Sequence, residues 1–344
     1  MHPTVTQRPV CSLRLAAAAF QTARPSVALL QLLSTVPPLL ALWGVMLWAA
    51  SSGQPWVVAV LALPGAGFVV RSFILQHDCG HGSLFRTRAT NDRVGRMLSV
   101  LTLTPYLLWR RQHAQHHAVW NNLDERDRGA DIYSGCATLS EYLAMSRVRQ
   151  LLYRATRHPL LSLVVVPPIV FLALYRTPFD TPVTWRSERR ELHATNLALL
   201  LVHGGLGLLL GFGPVLLVLL CSIVPASIIG VWLFSVQHRF EGVVWQGKAD
   251  WDPVTASLEG SSYLRLPRLL QWFTGNIGFH HIHHLAPKVP NHALEECHRS
   301  HPEFATGVHV IGLREGLAAW RHTLWDEAQE RMVGFPNSRQ SRLR

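Results

Sequence analysis

Lysine is almost absent from this chain: Lys248 and Lys288 are its only lysines among 32 basic side chains, so the net charge of +11 is carried by arginine. No lysine-rich run occurs, and no basic stripe is interleaved with aromatics, which argues against a nucleic-acid face. Paired thiols are missing as well. Cys11, Cys79, Cys136, Cys221 and Cys297 are scattered without C-x-x-C spacing, which indicates neither a disulfide framework nor a thiolate zinc site and suits free thiols on a reducing side. No repeat, low-complexity tract, flavin fingerprint or haem-binding domain is visible. Charged residues make up only 15% of the chain and hydrophobic ones 49%. The bias to arginine, with abundant Ala and Leu, points to a GC-rich bacterial gene.

What is present begins with four apolar runs, residues 27–50, 56–75, 195–212 and 215–236, nearly free of charge. Each approaches the roughly 17 to 25 residues needed to cross a bilayer core. The sequence therefore predicts an all-α integral membrane protein with four transmembrane helices in two hairpins. Arginines border the runs: Arg8, Arg14 and Arg24 before the first, the stretch from Arg71, near the end of the second, to Arg157, Arg186, Arg189 and Arg190 before the third, and Arg239 after the fourth. The positive-inside rule puts all of these segments, and both termini, in the cytoplasm, with outside turns near residues 51–55 and 211–214. The bacterial inner membrane is the expected location. Residues 160–175 are also apolar, but one crossing there would send Arg186, Arg189 and Arg190 outside. Pro167 and Pro168 favour a kink or dip, so the segment is expected to be re-entrant or interfacial. Pro37 and Pro38 should kink the first span, and His203 beside Gly204, Gly205 and Gly207 fits a functional polar site or helix packing.

The expected organisation is a cytoplasmic lead-in over residues 1–25, a membrane domain over 26–305, and a cytoplasmic tail over 306–344. In the lead-in, Arg24 interrupts the short apolar stretch 15–20, which is not read as a cleaved signal. The tail carries an amphipathic piece near 313–332 and is expected to form a helical cap.

Nine of the 19 histidines are clustered: His77 and His81; His113, His116 and His117; His238; and His280, His283 and His284. Spacings of three and four put imidazoles on one helical face, where they can converge on a common point. The remaining ten, including His2, His158, His193, His298, His301 and His322, lie outside such clusters. A structural zinc needs four ligands and a catalytic zinc three plus water, so nine histidines suit two metals with room for a further ligand. At the mouth of apolar helices such a site would face a lipid tail. Hydrocarbon offers no acidic proton or electrophilic carbon, which makes iron-activated oxygen the economical chemistry.

The segments HDCGHGSLF (His77 to Phe85), RRQHAQHH (Arg110 to His117), VQHRFE (Val236 to Glu241) and GNIGFHHIHHLAPKVPNH (Gly275 to His292) resemble the histidine boxes of the integral-membrane fatty acid desaturases and hydroxylases, particularly the bacterial and plastid acyl-lipid desaturases. The resemblance runs from about Ser26 to Ala305. It implies a four-span fold whose cytoplasmic helical cap holds two iron ions, with O2 as co-substrate. It also implies electrons from a ferredoxin or small haem protein with its reductase, and an acyl-lipid or acyl-thioester substrate. Carried over, the ligands are the nine histidines named above, and His281 is left unassigned. Where animal acyl-CoA desaturases have Asn four residues before the isolated histidine, this chain has Phe234.

Metal-bound imidazoles usually engage their second nitrogen with a carboxylate or carbonyl. Asp78, Asp124, Asp127, Asp131 and Glu241 are the candidates for that role, and Trp109, Trp120, Trp232 and Trp272 for lining an acyl tunnel or an interfacial belt. The boxes alone leave room for a hydroxylase or carotenoid-modifying oxygenase, and more remotely for a membrane metal transporter. A transporter would want ionisable residues deep in the spans, where only His203 occurs.

Overall fold

A computed structural model describes residues 10–126 and 135–336. After the short helix α1 (Val10–Ala18), α2 (Pro25–Leu33) and α3 (Val36–Ser51) form one apolar element broken at Ser34 and Thr35, just ahead of Pro37 and Pro38. The second long helix, α4 (Pro55–His81), follows after a three-residue turn and packs along α3. Next come α5 (Arg88–Thr102) and α6 (Tyr106–Val119). Beyond the gap lie β1 (Ala137–Thr138), α7 (Leu139–Ala144), α8 (Arg147–Arg157) and α9 (Val166–Leu172). The third long element comprises α10 (Arg186–Leu199), a wide π turn and α11 (Gly205–Leu210); α12 (Phe212–Val236) is the fourth. The remainder contains α13 (Pro253–Leu258), β2 (Tyr263–Leu264), α14 (Arg268–Phe273), α15 (His280–Leu285), α16 (Leu294–Ser300), β3 (Val310–Ile311), α17 (Leu313–Ala318), β4 (Leu324–Asp326) and β5 (Arg331–Val333).

Four helical elements, 25–51, 55–81, 186–210 and 212–236, are long and apolar enough to cross a membrane. Polar residues within and at the ends of these elements have partners. Arg71, 4% exposed, donates to Thr35 Oγ1 at 3.0 Å and to the Trp272 carbonyl, and its guanidinium lies 3.9 Å from the Trp272 ring centre. At the start of α10, Glu188 pairs with Arg111 at 3.0 Å, and Glu191 accepts the Leu107 N–H at 2.6 Å. That N–H is among the first of α6, where no intrahelical acceptor exists.

Residues 160–176 form a π turn, α9 and a final 3-10 turn, with Pro167 in the first turn of α9, where its missing N–H costs nothing. This segment bends 51° from α8 and packs against α12.

The expectation of an all-helical chain needs one correction. The fold is mostly helical, but β1, β4 and β5 form a three-stranded sheet, and β2 pairs with β3. Among the described residues of the tail only Leu313–Ala318 is α-helical; residues 324–333 form an antiparallel pair rather than a helical cap. Its turn is closed by Asp326, whose Oδ1 accepts the N–H groups of Ala328 and Gln329 at 3.0 and 3.1 Å. Leu324 and Trp325 are buried, and their burial against β1 outweighs the weak helical periodicity.

Candidate metal centre

Four segments deliver the histidines. His77 and His81 occupy the last turn of α4, which Gly82 ends in the left-handed conformation, φ 72°. A Cβ on Gly80 would lie 2.8 Å from the Trp109 ring, so α6 can approach α4 this closely only because residue 80 has no side chain. Tyr106 Oη donates to the Cys79 carbonyl at 2.8 Å and ties the two helices. His238 comes two residues after the end of α12. Its neighbour Gln237 donates to the Ile277 carbonyl at 2.9 Å, which anchors the segment leading into α15.

The nine rings divide into two nests, and all nine turn Nε2 inward. In the first, Nε2 of His77 lies 3.1 Å from that of His283, His283 2.9 Å from His117, His117 3.1 Å from His113, and His113 3.0 Å from His81. In the second, His238 Nε2 lies 2.9 Å from His280, 3.1 Å from His116 and 3.2 Å from His284. Adjacent residues therefore part company: His117 and His283 join the first nest, His116 and His284 the second.

An imidazole nitrogen has one in-plane direction for a proton or a lone pair. His238 Nε2, with three ring nitrogens within 3.2 Å, cannot satisfy them all by hydrogen bonding. A cation at the point of convergence would use every lone pair, so this donor set fits a metal in each nest. Burial first, and neighbouring imidazoles second, push His113, His117, His238, His280, His283 and His284 well below the usual histidine range. Neutral rings are the form that binds metal.

His281 is turned away. Its Nε2 lies 2.9 Å from His298 Nδ1, and burial, followed by His298, pushes it down to about 3.

Of the carboxylate candidates, Asp78 reaches the nest. Its Oδ1 lies 3.4 Å from His77 Nδ1, and its Oδ2 accepts the backbone and side-chain N–H groups of Asn291 at 2.7 and 2.8 Å. Asn291 Oδ1 in turn accepts from Gln31 Nε2 at 2.6 Å, so the first long element is tied to the third box. Asp124 instead accepts the Lys248 N–H at 2.7 Å. Glu241 is exposed, with its charge felt by His322. Asp127 and Asp131 lie outside the described residues. Asn291 and Gln31 escaped the sequence reading; the available signal was a lone amide in an apolar helix and an Asn seven residues past His284.

Two tryptophans wall the nests. Trp109 stacks on His113 with ring centres 4.7 Å apart, and Trp120 lies 3.9 Å from His238. Phe234 sits between His116 and His238, at 5.0 and 5.3 Å. Trp232 donates to the Gly316 carbonyl at 3.1 Å, Trp272 lies under Arg71, and His203 bonds the Leu199 carbonyl of its own helix at 3.1 Å.

Residues 54–312 match the family model described as fatty acid desaturase. A relative named fatty acid desaturase, from Bacillus subtilis (strain 168), is 40% identical over 318 residues, covering 92% of this chain and 88% of that protein. Two Synechocystis proteins are each 26% identical: an sn-1 oleoyl-lipid 12-desaturase, with coverage of 71% of this chain and 66% of the relative, and an sn-1 acyl-lipid omega-3 desaturase (ferredoxin), with 65% and 62%.

Proposed function

Since the chain belongs to the fatty acid desaturase family and is an oxidoreductase of that kind, we propose that it removes two hydrogens from neighbouring carbons of a membrane-held acyl chain. The reaction uses two irons, O2 and a separate one-electron donor. The observation that carries this reading is the pair of histidine nests, formed where α4 and α12 end. Iron bound there would supply the oxidising power to break unactivated C–H bonds, which no side chain can do alone. His77, His81, His113, His117 and His283 would hold one ion; His116, His238, His280 and His284 would hold the other. Asp78 would fix the His77 ring, and Trp109, Trp120 and Phe234 would keep bulk water from the nests.

The proposed arrangement has four spans in two hairpins within residues 26–305, with the nests and both termini on the cytoplasmic side of a bacterial inner membrane. Residues 306–344 form a tail on the same side. An acyl lipid or thioester is the substrate, and the ferredoxin in one relative's name favours an iron–sulfur donor.

The relatives' names favour desaturation over hydroxylation or carotenoid oxidation. Arg71 does add a charge inside a long helix, but its bonds to Thr35 and Trp272 make it a packing anchor rather than a transport station. Expression in a bacterium of known lipid profile, with iron and a competent donor, is expected to yield an extra acyl double bond by gas chromatography and mass spectrometry. That product should vanish without O2. Unchanged fatty acids alongside a hydroxylated or ketolated lipid would replace this reading with the oxygenase one.

A further inference from the structure

Helix α8 is amphipathic in the reverse of the usual sense. Val148, Leu151, Leu152 and Ala155 form one stripe at helical spacing. The three large members are 66%, 67% and 62% exposed, and none of the helix's residues is buried. Its polar face is the one that holds it to the protein. Gln150 donates to the Tyr142 carbonyl at 3.0 Å, Arg154 to Tyr142 Oη at 2.6 Å, and Arg157 to the Gly135 carbonyl at 2.6 Å. A helix on a water-facing surface would bury Leu151; here Leu151 is exposed, and Arg154, exposed as well, is among the side chains that bond to the rest of the protein.

Two further observations identify what covers the stripe. It continues past the 51° bend into Leu160, Val164, Val165 and Ile169, all exposed and next to α12, so the apolar surface is continuous with the lipid-facing side of the long helices. Exposed Arg147 and Arg149 border the stripe, where cations meet lipid phosphates.

We propose that α8 lies flat in the headgroup layer of an anionic phospholipid membrane, with Leu151 among the upper acyl carbons and Arg147 and Arg149 on phosphates. This rests on the membrane reading of the long helices. Its test reads depth rather than activity, so it fails independently of the proposed reaction.

The experiment uses the full-length protein with Leu151→Cys, in a background where Cys11 and Cys221 are Ser, carrying a nitroxide label. It is reconstituted in vesicles of phosphatidylcholine alone or mixed with phosphatidylglycerol. Power-saturation EPR against O2 and a water-soluble nickel chelate should put the label about 5–10 Å below the phosphates. The label should sit more deeply when phosphatidylglycerol is present, and Arg147→Ala with Arg149→Ala should remove that difference. A label freely reached by the nickel chelate, or one at the bilayer midplane, would overturn the proposal. A depth indifferent to lipid charge would overturn the choice of anionic lipid. Because Leu151 is exposed, the substitution leaves the packing intact, and a parallel label at Leu152, on the same stripe, is expected to report the same depth.

Discussion

His280 and His281 are consecutive in one short helix, yet their rings lead different lives. His280 converges with two other imidazoles, those of His238 and His284, whereas His281 has one imidazole partner, His298, in a simple donor and acceptor pair. Both are fully enclosed and both are held neutral by burial. Burial and depressed basicity therefore do not distinguish a proposed metal ligand from a histidine outside the nests. The number of nitrogens sharing one point does, because a pair can be satisfied by one proton and a cluster of three cannot.

The sharpest break of this comparison is His117→Ala or His284→Ala. Each removes a nest member, and product formation should fall below detection, with iron content dropping while the protein still accumulates in membranes. Undiminished turnover in either variant would refute the ligand assignment.

Asp78→Asn comes next, since it weakens the hold on His77 and the Asn291 loop without removing a ring. Iron affinity by competitive chelation should fall by about 10- to 100-fold. An affinity equal to that of the parent would reduce Asp78 to a loop tether.

Acidification tests the nests collectively. His113, His117, His238, His280, His283 and His284 have folded-state basicities far below the unfolded value near 6.5. The unfolded chain therefore binds more protons below that pH. Metal-free stability should be full above about 6.5 and fall as pH drops, by about 1.4 kcal/mol per pH unit for each such ring. Thermal unfolding of the metal-free protein between neutral and mildly acidic pH measures this slope, and a flat profile would contradict enclosure.

His281→Ala should do least to the chemistry. It leaves His298 without its partner and should cost about 1–3 kcal/mol of stability, read by thermal shift, with iron content and turnover near those of the parent. Loss of iron equal to that in His284→Ala would mean the wrong members of HHIHH were chosen.

Much of the nest was legible because α4 and α6 keep the periodicity that put His77 with His81 and His113 with His117. The partition between nests was not, since it depends on how α15 faces α6 and only tertiary packing sets that. Asp78 was readable from its place beside His77. Asp124 looked equivalent in sequence but bonds a loop N–H, a choice that depends on where residues 246–248 return. The strands of the tail were missed because segments of two or three residues carry too little periodicity to oppose a helical pattern, and their pairing with β1 joins residues almost 190 positions apart in number only through the fold.

The division of His116 from His117, and of His283 from His284, has a thermodynamic consequence. Each nest draws rings from α6 and from α15, so an ion entering one fixes both helices and thereby sets out most of the ring positions of the other. Occupancy of the two should be cooperative, with singly loaded chains scarce during titration. The first ion bears the cost of ordering the scaffold, and the second binds to a site already built.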